Sequence, residues 1–295
     1  MTSDSALIPG GATLPTRCAV VGGGRMGAGI AHALLLAGAE VTVLERDAAE
    51  ASAARERVAR AVRQSAERGQ VPDLDAVWAR LTTTSDAADL SGSGLVVEAV
   101  PEDRDLKLTT LRRIEDAVAA DTVIASNTSS ISLADLGQGL GRPERLLGLH
   151  FFNPVPASKL VEVVIAPATD PTLRDRATGW VRLLGKAAVV VQDAPGFASS
   201  RLGLALGLEA IRMVEAGVAS AADIDAAMTL GYGHPTGPLR LTDLVGLDVR
   251  LGIARYLERE LGERFTPPAL LVQLVEQGHL GRKSGRGFYE WSDER

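Results

Sequence analysis

The chain of 295 residues contains a single cysteine, Cys18, and only four lysines, and aromatic residues make up 4% of it. One cysteine excludes an internal disulfide, and no Cys-x-x-Cys or His-x-x-x-His spacing indicates a metal site. Because Cys18 lies in a short apolar segment, we expect it to be a small buried hydrophobic residue rather than a reactive thiol. The sequence therefore predicts neither a disulfide framework nor a bound metal.

Long apolar runs and long charged runs are also absent. No apolar run reaches the roughly twenty residues needed to cross a bilayer, and the amino-terminal residues lack the basic start and continuous apolar core of a signal peptide. The net charge is −6 with no long run of either sign, which argues against a nucleic-acid or membrane partner. We expect a cytoplasmic protein of two domains, preceded by a flexible tail at residues 1–15.

Residues 17–45 follow the order strand, glycine-rich turn, helix, strand and acid. The turn has the pattern Gly-x-Gly-x-x-Gly at Gly22, Gly24 and Gly27, and Glu45 ends the second strand. The first glycine permits the tight turn, the second lets a pyrophosphate approach backbone N–H groups, and the third lets helix and strand pack closely. The amino end of the helix then faces the phosphates with its partial positive charge. This setting predicts a dinucleotide-binding site.

The residues after the second strand bear on the choice between NAD and NADP. Glu45 can accept hydrogen bonds from the adenosine ribose diol, which favours NAD. Arg46 follows it directly, and an arginine there can pair with a 2′-phosphate, so NADP stays open at this point. We predict NAD.

Beyond the second strand, helical segments such as 47–69 and 74–81 alternate with short apolar strands. This alternation predicts an α/β fold, with a doubly wound, Rossmann-type dinucleotide-binding domain over residues 16–194. From residue 195 onward the pattern is helical throughout, and its longest segment, 239–261, is interrupted by a glycine. We therefore expect a smaller all-α domain over residues 195–295.

His150 is one of only four histidines, and it lies where a predicted buried strand ends. Asn153 and Pro154 follow as a turn, and Glu162 lies inside the next apolar run. An imidazole at a strand end, with a turn that returns the chain to a carboxylate, is typical of an oriented acid–base pair. The alternative is a partly buried histidine whose ring is satisfied by a backbone carbonyl.

Seven segments together resemble one known family. They are GGGRMGAGIA at 22–31, VVEAVPED at 96–103, ASNTSSIS at 125–132, GLHFFNPVPASKLVEVV at 148–164, APGF at 194–197, HPTGPL at 234–239 and LGRKSGRGFYEW at 280–291. In this order and spacing the chain resembles the 3-hydroxyacyl-CoA dehydrogenases, of the short 3-hydroxybutyryl-CoA dehydrogenase type. The resemblance covers nearly everything after residue 16.

The resemblance implies a role for most of the polar residues in these segments. His150 matches the catalytic acid–base group, Glu162 its carboxylate partner, and Ser129 a contact to the substrate hydroxyl. Oxidation of a secondary alcohol sends a hydride to NAD and needs a base for the hydroxyl proton, and reduction needs the same imidazole as an acid. The cofactor-binding residues expected from the motif and the resemblance are Gly22, Gly24, Arg25, Met26, Gly27, Glu45, Glu102, Lys107, Asn127, Ser129, Asn153 and Lys283.

The chain departs from the family pattern at three places that concern the substrate or cofactor. Ser200 stands where the family has an asparagine that helps to hold the substrate carbonyl and the histidine, and serine is shorter and offers one donor. Of two positions that contact CoA in relatives, Ala61 offers no hydroxyl, whereas Arg68 keeps the charge. Glu45 replaces the more usual aspartate. We expect Ser129, Arg68 and Ser200 to bind the substrate, and Ser200 to belong to the catalytic group.

These residues predict an NAD-dependent oxidoreductase that interconverts 3-hydroxyacyl and 3-ketoacyl thioesters, with a short-chain acyl-CoA as the substrate. The alternatives are a dehydrogenase of a free 3-hydroxy acid or of one held on an acyl carrier protein, and a catalytically silent dinucleotide-binding protein. We also predict a homodimer that forms through segment 202–214. This segment carries more apolar surface than a small helical bundle needs for its own core, through residues that include Leu204, Leu206, Leu208 and Ile211.

Overall fold

The computed structural model describes residues 13–291, so most of the predicted tail at 1–15 lies outside the described residues. The chain divides into two compact units, which meet in the sequence at Asp193 and Ala194. None of the helices among residues 13–291 has both the length and the apolar character needed to cross a membrane.

The first unit contains an eight-stranded sheet with helices between its strands, in the order β3-β2-β1-β4-β5-β6-β7-β8. All neighbouring strands are parallel except β6 and β7, which are antiparallel. The strands are β1 (Arg17–Val21), β2 (Glu40–Leu44), β3 (Leu81–Thr84), β4 (Leu95–Glu98), β5 (Val123–Ser126), β6 (Leu146–Phe151), β7 (Leu160–Ile165) and β8 (Ala187–Gln192). The helices are α1 (Arg25–Leu36), α2 (Ala48–Glu67), α3 (Leu74–Trp78), α4 (Arg104–Ala117), α5 (Leu133–Gly137) and α6 (Thr172–Leu183).

The candidate site lies at the carboxyl ends of the central strands of the sheet. Strands β4 and β5 are buried along their whole length, as parallel strands covered on both faces require. The chain order reverses between β1 and β4, and ligands of doubly wound folds bind in the crevice at the carboxyl ends of such strands. Cys18 in β1 is buried as expected, and burial raises the pKa of its thiol to about 12, so it is not a reactive group.

The second unit is helical, so the predicted fold class is confirmed. Its helices are α7 (Ser199–Glu215), α8 (Ala221–Tyr232), α9 (Pro238–Val245), α10 (Leu247–Leu261) and α11 (Ala269–Glu276). Leu204, Leu208 and Ile211 of α7 are buried in the core of this unit. The expectation that these three residues supply surplus apolar surface was therefore wrong, because they face α9, α10 and α11 rather than solvent.

Two predicted helices have different bounds in the structure. The segment 74–81 ends as a helix at Trp78, and β3 follows, because its threonines are β-branched and pair in parallel with β2. The segment 239–261 forms two helices, α9 and α10, which Gly246 separates with a φ of 108°. Only glycine adopts that conformation readily, so the chain changes direction there.

A buried histidine makes the first unit sensitive to acid. His32 of α1 is buried, with its Nε2 atom 2.8 Å from Ser65 Oγ, and its Nδ1 atom has no hydrogen-bond partner among the described residues. Burial, and then the charge of Lys186, lower the pKa of His32 to about 4. Unfolding exposes the imidazole, and its pKa returns to an ordinary value near 6.5. The unfolded chain therefore binds the proton first as the pH falls.

We expect the free energy of unfolding to fall by on the order of 3 kcal/mol between about pH 6.5 and pH 4 because of this residue. Urea denaturation at several pH values measures the loss. His32→Gln keeps a polar group beside Ser65 without titrating, so the loss should shrink by about that amount. Equal acid sensitivity of wild type and His32→Gln would contradict the assignment.

Candidate active site

The glycine turn after β1 has the geometry of a pyrophosphate cradle. Gly22 has a φ of +93°, and a Cβ atom there would lie 3.0 Å from the carbonyl group of Ala99. A Cβ atom on Gly27 would overlap the carbonyl oxygen of Gly22. Gly24, in contrast, has no atom within 4 Å of its Cβ position, so open space adjoins the amino end of α1. The glycines thus close the turn and leave room where phosphates would meet backbone N–H groups, which fits a dinucleotide.

Glu45 lies at the end of β2 and faces this turn. Its Oε1 atom accepts a hydrogen bond of 2.6 Å from the backbone N–H of Gly23. Arg46 points to other carboxylates, with its Nε atom 3.2 Å from Asp47 Oδ2 and its Nη2 atom 2.9 Å from Glu50 Oε1. Those two carboxylates neutralise the positive charge of Arg46, which a 2′-phosphate of NADP would need as its partner. This side of the turn therefore suits NAD rather than NADP.

Glu102 organises the polar turn after β5. Its Oε1 atom accepts hydrogen bonds from the hydroxyl of Thr128 at 2.7 Å and from the backbone N–H groups of Ser129 and Ser130 at 2.8 and 3.0 Å. The hydroxyls of Ser129 and Ser130 also lie 3.1 Å from it. Burial raises the pKa of Glu102, but the charge of Lys107 and these hydrogen bonds outweigh burial and hold the pKa below its ordinary value. An ionised carboxylate therefore fixes the position of Ser129.

A buried ion pair lies beneath this turn. Lys107 of α4 is 1% exposed, and its Nζ atom is 2.8 Å from Oε1 of Glu98, which is fully buried at the end of β4. The same ammonium group donates to the carbonyl oxygen of Val100 at 3.1 Å and lies 3.4 Å from Glu102 Oε2. Glu98 also accepts hydrogen bonds from Ser126 Oγ and from the backbone N–H of Val100. The carboxyl ends of β4 and β5 are thereby tied together.

The turn is also tied to the strand that carries the histidine. Asn127 Oδ1 accepts a hydrogen bond of 2.8 Å from the backbone N–H of Phe151, the residue after His150. Asn127 is thus a positioning residue as well as a predicted cofactor contact. Ser129 is half-buried and Asn153, in the turn after β6, is exposed.

His150 and Glu162 are register partners in the antiparallel pair β6 and β7. The Nδ1 atom of His150 lies 2.8 Å from Oε2 of Glu162, and both side chains are buried. The ring of Phe152 lies 4.4 Å from the imidazole, centroid to centroid. Because the strands pair these residues directly, the carboxylate and not a backbone carbonyl meets Nδ1. A carboxylate acceptor favours the tautomer with the proton on Nδ1, so Nε2 is the nitrogen suited to proton transfer.

Three further predicted residues belong neither to the turn after β5 nor to the β6–β7 pair. Arg68 ends α2 and is exposed. Ser200 lies in the first turn of α7 and is half-buried. Lys283 lies in a short 3₁₀ turn, and its Nζ atom is 2.6 Å from Asp248. The turn holding Lys283 is anchored by Asp243, which accepts hydrogen bonds from the backbone of Phe288 and Tyr289 and from the indole of Trp291.

Comparison with known proteins agrees with this geometry. The model for the NAD binding domain of 3-hydroxyacyl-CoA dehydrogenase matches residues 17–194, and the model for the C-terminal domain of that enzyme matches residues 196–291. The chain belongs to the 3-hydroxyacyl-CoA dehydrogenase family.

Several members of the 3-hydroxyacyl-CoA dehydrogenase family are similar over almost their whole length. A 3-hydroxybutyryl-CoA dehydrogenase of Mycobacterium tuberculosis is 44% identical over 280 residues, which span 93% of this chain and 98% of that protein. The crystal structure of FadB2 from M. tuberculosis gives a TM-score of 0.89 at 43% identity, over 94% of this chain and 99% of that one. That of (S)-3-hydroxybutyryl-CoA dehydrogenase from Ralstonia eutropha gives 0.90 at 35% identity, over 95% and 100%.

The sequence did not lead us to predict the buried ion pair of Glu98 with Lys107. The signal was present, since an acid closes the otherwise apolar segment LVVE. A carboxylate inside an apolar strand is rarely tolerated without a buried partner. That partner, Lys107, lies nine residues further on and was predicted only as a cofactor contact.

Proposed function

We propose that this protein is an NAD-dependent dehydrogenase that interconverts 3-hydroxyacyl and 3-ketoacyl thioesters, with a short-chain acyl-CoA as substrate. The observation that carries the proposal is the buried pair of His150 and Glu162, with Nδ1 and Oε2 2.8 Å apart, at the edge of a sheet that also bears a dinucleotide turn. Membership of the 3-hydroxyacyl-CoA dehydrogenase family and the names of the 3-hydroxybutyryl-CoA dehydrogenases at 36–44% identity support the choice of substrate.

In oxidation, His150 Nε2 accepts the proton of the 3-hydroxyl group while C3 loses its hydrogen as a hydride. NAD, when bound, supplies the hydride acceptor in that direction and NADH the donor in the other. In reduction, the imidazolium returns the proton to the developing oxygen at C3. Glu162 holds the ring in the tautomer that exposes Nε2 and stabilises the imidazolium that oxidation creates.

The remaining residues have supporting roles in this proposal. Ser129 contacts the substrate hydroxyl, Arg68 pairs with the phosphates of CoA, and Ser200 contacts the thioester carbonyl. Glu102 fixes the position of Ser129, because its Oε1 atom accepts hydrogen bonds from both the hydroxyl and the backbone N–H of Ser129. Lys107 acts through Glu98 and Glu102, since its ammonium group faces those carboxylates.

A substrate panel tests the function. We expect NADH formation from 3-hydroxybutyryl-CoA and NAD, with a kcat/KM far above that of free 3-hydroxybutyrate. A higher kcat/KM for a carrier-protein thioester than for the CoA thioester would identify a carrier-bound acyl group as the substrate. The absence of a CoA-binding hydroxyl at Ala61 would agree with that result. NAD binding without turnover of any of these compounds would leave a catalytically silent dinucleotide-binding protein.

We also propose a homodimer that forms through the helical unit. Apolar side chains remain exposed on its helices, with Leu230 at 87% and Tyr232 at 79% exposure on α8, and Leu202 of α7 is exposed as well. A partner chain packed on these helices would remove such exposed apolar side chains from water, which is the basis of the proposal. These residues replace Leu204 and Leu208 as the basis for the dimer.

Leu230→Glu is expected to convert a dimer of wild type into a monomer at micromolar concentration, because a carboxylate cannot be buried unpaired at an apolar interface. Light scattering during size exclusion measures the mass. The control is Leu106→Glu, which makes the same change at an exposed leucine of α4 in the first unit and should stay dimeric. A wild-type mass of one chain would remove the proposal.

A further inference from the structure

An arginine of α2 contacts the backbone of the glycine turn. The Nη1 atom of Arg57 donates a hydrogen bond of 3.0 Å to the carbonyl oxygen of Gly23. The helix comes this close because both facing residues are small, and a Cβ atom on Gly23 would overlap that of Ala54. The Nη2 atom of Arg57 lies 3.5 Å from Oε2 of Glu50, which is on the same face of the helix. Glu50 therefore orients the guanidinium that meets the turn.

The turn needs such a restraint, because Gly22, Gly23 and Gly24 follow one another. Glycine has no Cβ atom and loses more conformational freedom on ordering than any other residue. Two charged side chains restrict Gly23. Glu45 accepts a hydrogen bond of 2.6 Å from its N–H, and Arg57 donates one of 3.0 Å to its carbonyl oxygen. The peptide groups before and after Gly23 are therefore each held by a charged side chain.

The contact with Arg57 also fixes the direction of the next N–H group. The peptide group between Gly23 and Gly24 is trans, so its C=O and N–H bonds point in opposite directions. Because the carbonyl group of Gly23 faces Arg57, the N–H of Gly24 points away from that arginine. Gly24 is exposed, and no group among residues 13–291 accepts a hydrogen bond from its N–H. This donor is available to an anion at the amino end of α1.

We propose that Arg57 is a positioning residue for the cofactor, which holds the carbonyl group of Gly23 towards α2 and thereby directs the N–H of Gly24 at the pyrophosphate. Rotation of this peptide group would instead turn a carbonyl oxygen, with its partial negative charge, towards the phosphates. Arg57 stabilises the productive orientation before the cofactor arrives, so less ordering is required on binding. This inference rests on the proposed function, which makes NAD the cofactor.

A direct ion pair between Arg57 and a phosphate is the competing explanation. The geometry argues against it, because Nη1 faces the carbonyl oxygen of Gly23 and Nη2 faces Glu50. The guanidinium also lies on the side of the peptide group opposite to the N–H of Gly24. Arg57 therefore acts through the backbone, and its effect should survive in 1 M NaCl, where the Debye length is about 3 Å.

The test measures the binding of three ligands to full-length Arg57→Met, whose side chain is long and unbranched but has no hydrogen-bond donor. NADH and ADP-ribose contain the pyrophosphate, whereas adenosine has only the base and the ribose diol. We expect the Kd of NADH and the Ki of ADP-ribose against NAD to rise by about five- to tenfold. The Ki of adenosine should stay as in wild type, and so should kcat with 3-hydroxybutyryl-CoA at saturating NAD.

Arg55→Met is the matched control on the same helix. Arg55 also donates a hydrogen bond to a backbone carbonyl group, that of Leu81 at 3.1 Å, but Leu81 begins β3 and lies outside the turn. This variant should bind all three ligands as wild type does. Arg57→Lys keeps a cationic donor, so its Kd for NADH should lie between those of wild type and Arg57→Met.

Each outcome decides a different point. An unchanged Kd of NADH in Arg57→Met would overturn the inference, and so would equal losses for adenosine and ADP-ribose, an equal loss in Arg55→Met, or a loss that disappears in 1 M NaCl. Should Arg57→Met not fold, Arg57→Gln, whose side chain is about two bonds shorter, takes its place. Wild-type protein that binds no NADH, or forms none from 3-hydroxybutyryl-CoA, would refute the proposed function itself, which is a separate result.

Discussion

Replacement of His150 by glutamine is expected to lower kcat by on the order of 10³-fold, with little change in the affinity for NAD. The imidazole is the buried group whose Nδ1 atom is held by Glu162 at 2.8 Å, and general acid–base catalysis by such a group contributes about 10²- to 10⁴-fold. Glutamine is polar and of similar reach, but it cannot accept the hydroxyl proton. Steady-state kinetics measure kcat, and titration of the protein with NADH by fluorescence measures cofactor binding.

The matched control for this variant is His279→Gln, which makes the same change at a half-buried histidine of the helical unit. It should retain wild-type kcat. Glu162→Gln should fall between the two, because it keeps a hydrogen-bond partner for Nδ1 but loses the charge that stabilises the imidazolium. Activity of His150→Gln close to wild type would remove His150 from the catalytic role.

Glu98→Ala is expected to cost about 3–5 kcal/mol of unfolding free energy, because it leaves the ammonium group of Lys107 buried without its nearest counter-charge. Lys107 is 1% exposed and its Nζ atom lies 2.8 Å from Glu98, so the lost carboxylate is the nearest negative charge to a buried ammonium group. Ser126 and the backbone N–H of Val100 lose their acceptor at the same time. Urea denaturation followed by circular dichroism measures the change.

Glu40→Ala is the control for the loss of an acid from an ion pair. Glu40 pairs with Arg17 at 3.2 Å, but both side chains are exposed, and such surface pairs contribute less than about 1 kcal/mol. A loss of unfolding free energy in Glu98→Ala as small as that in Glu40→Ala would contradict a stabilising role of the buried pair of Glu98 and Lys107. Because Glu98 holds the turn that carries Ser129, we also expect the KM for substrate to rise in Glu98→Ala at temperatures where the variant is folded.

The sequence was sufficient for the features that depend on local pattern. The glycine turn at residues 22–27 requires small residues at fixed spacing, and the strand-to-strand return from His150 to Glu162 needs only two apolar runs and a turn. These patterns predict the Rossmann-type unit and the contact between His150 and Glu162, because the physical causes lie within one short segment.

Other features depend on contacts between distant segments and could not be predicted in this way. Strand β3 exists because Leu81–Thr84 pairs with β2, although the residues before it have a helical pattern. The burial of Leu204 follows from the packing of α7 against α9, which spacing alone does not reveal. Arg250 looks like a solvated helix residue in the sequence, and only the folded helical unit shows that its guanidinium is buried against Gly203.

The most direct measurement follows the hydrogen at C3 of the substrate. Wild-type protein is incubated with NAD and 3-hydroxybutyryl-CoA that carries deuterium at C3, and the NADH formed is analysed by mass spectrometry and NMR. The account predicts one deuterium on the nicotinamide ring of each NADH formed, and His150→Gln should form this product at a rate lower by on the order of 10³-fold. NADH without deuterium, or no NADH from this substrate while NAD binds, would contradict hydride transfer from C3 as the reaction of this protein.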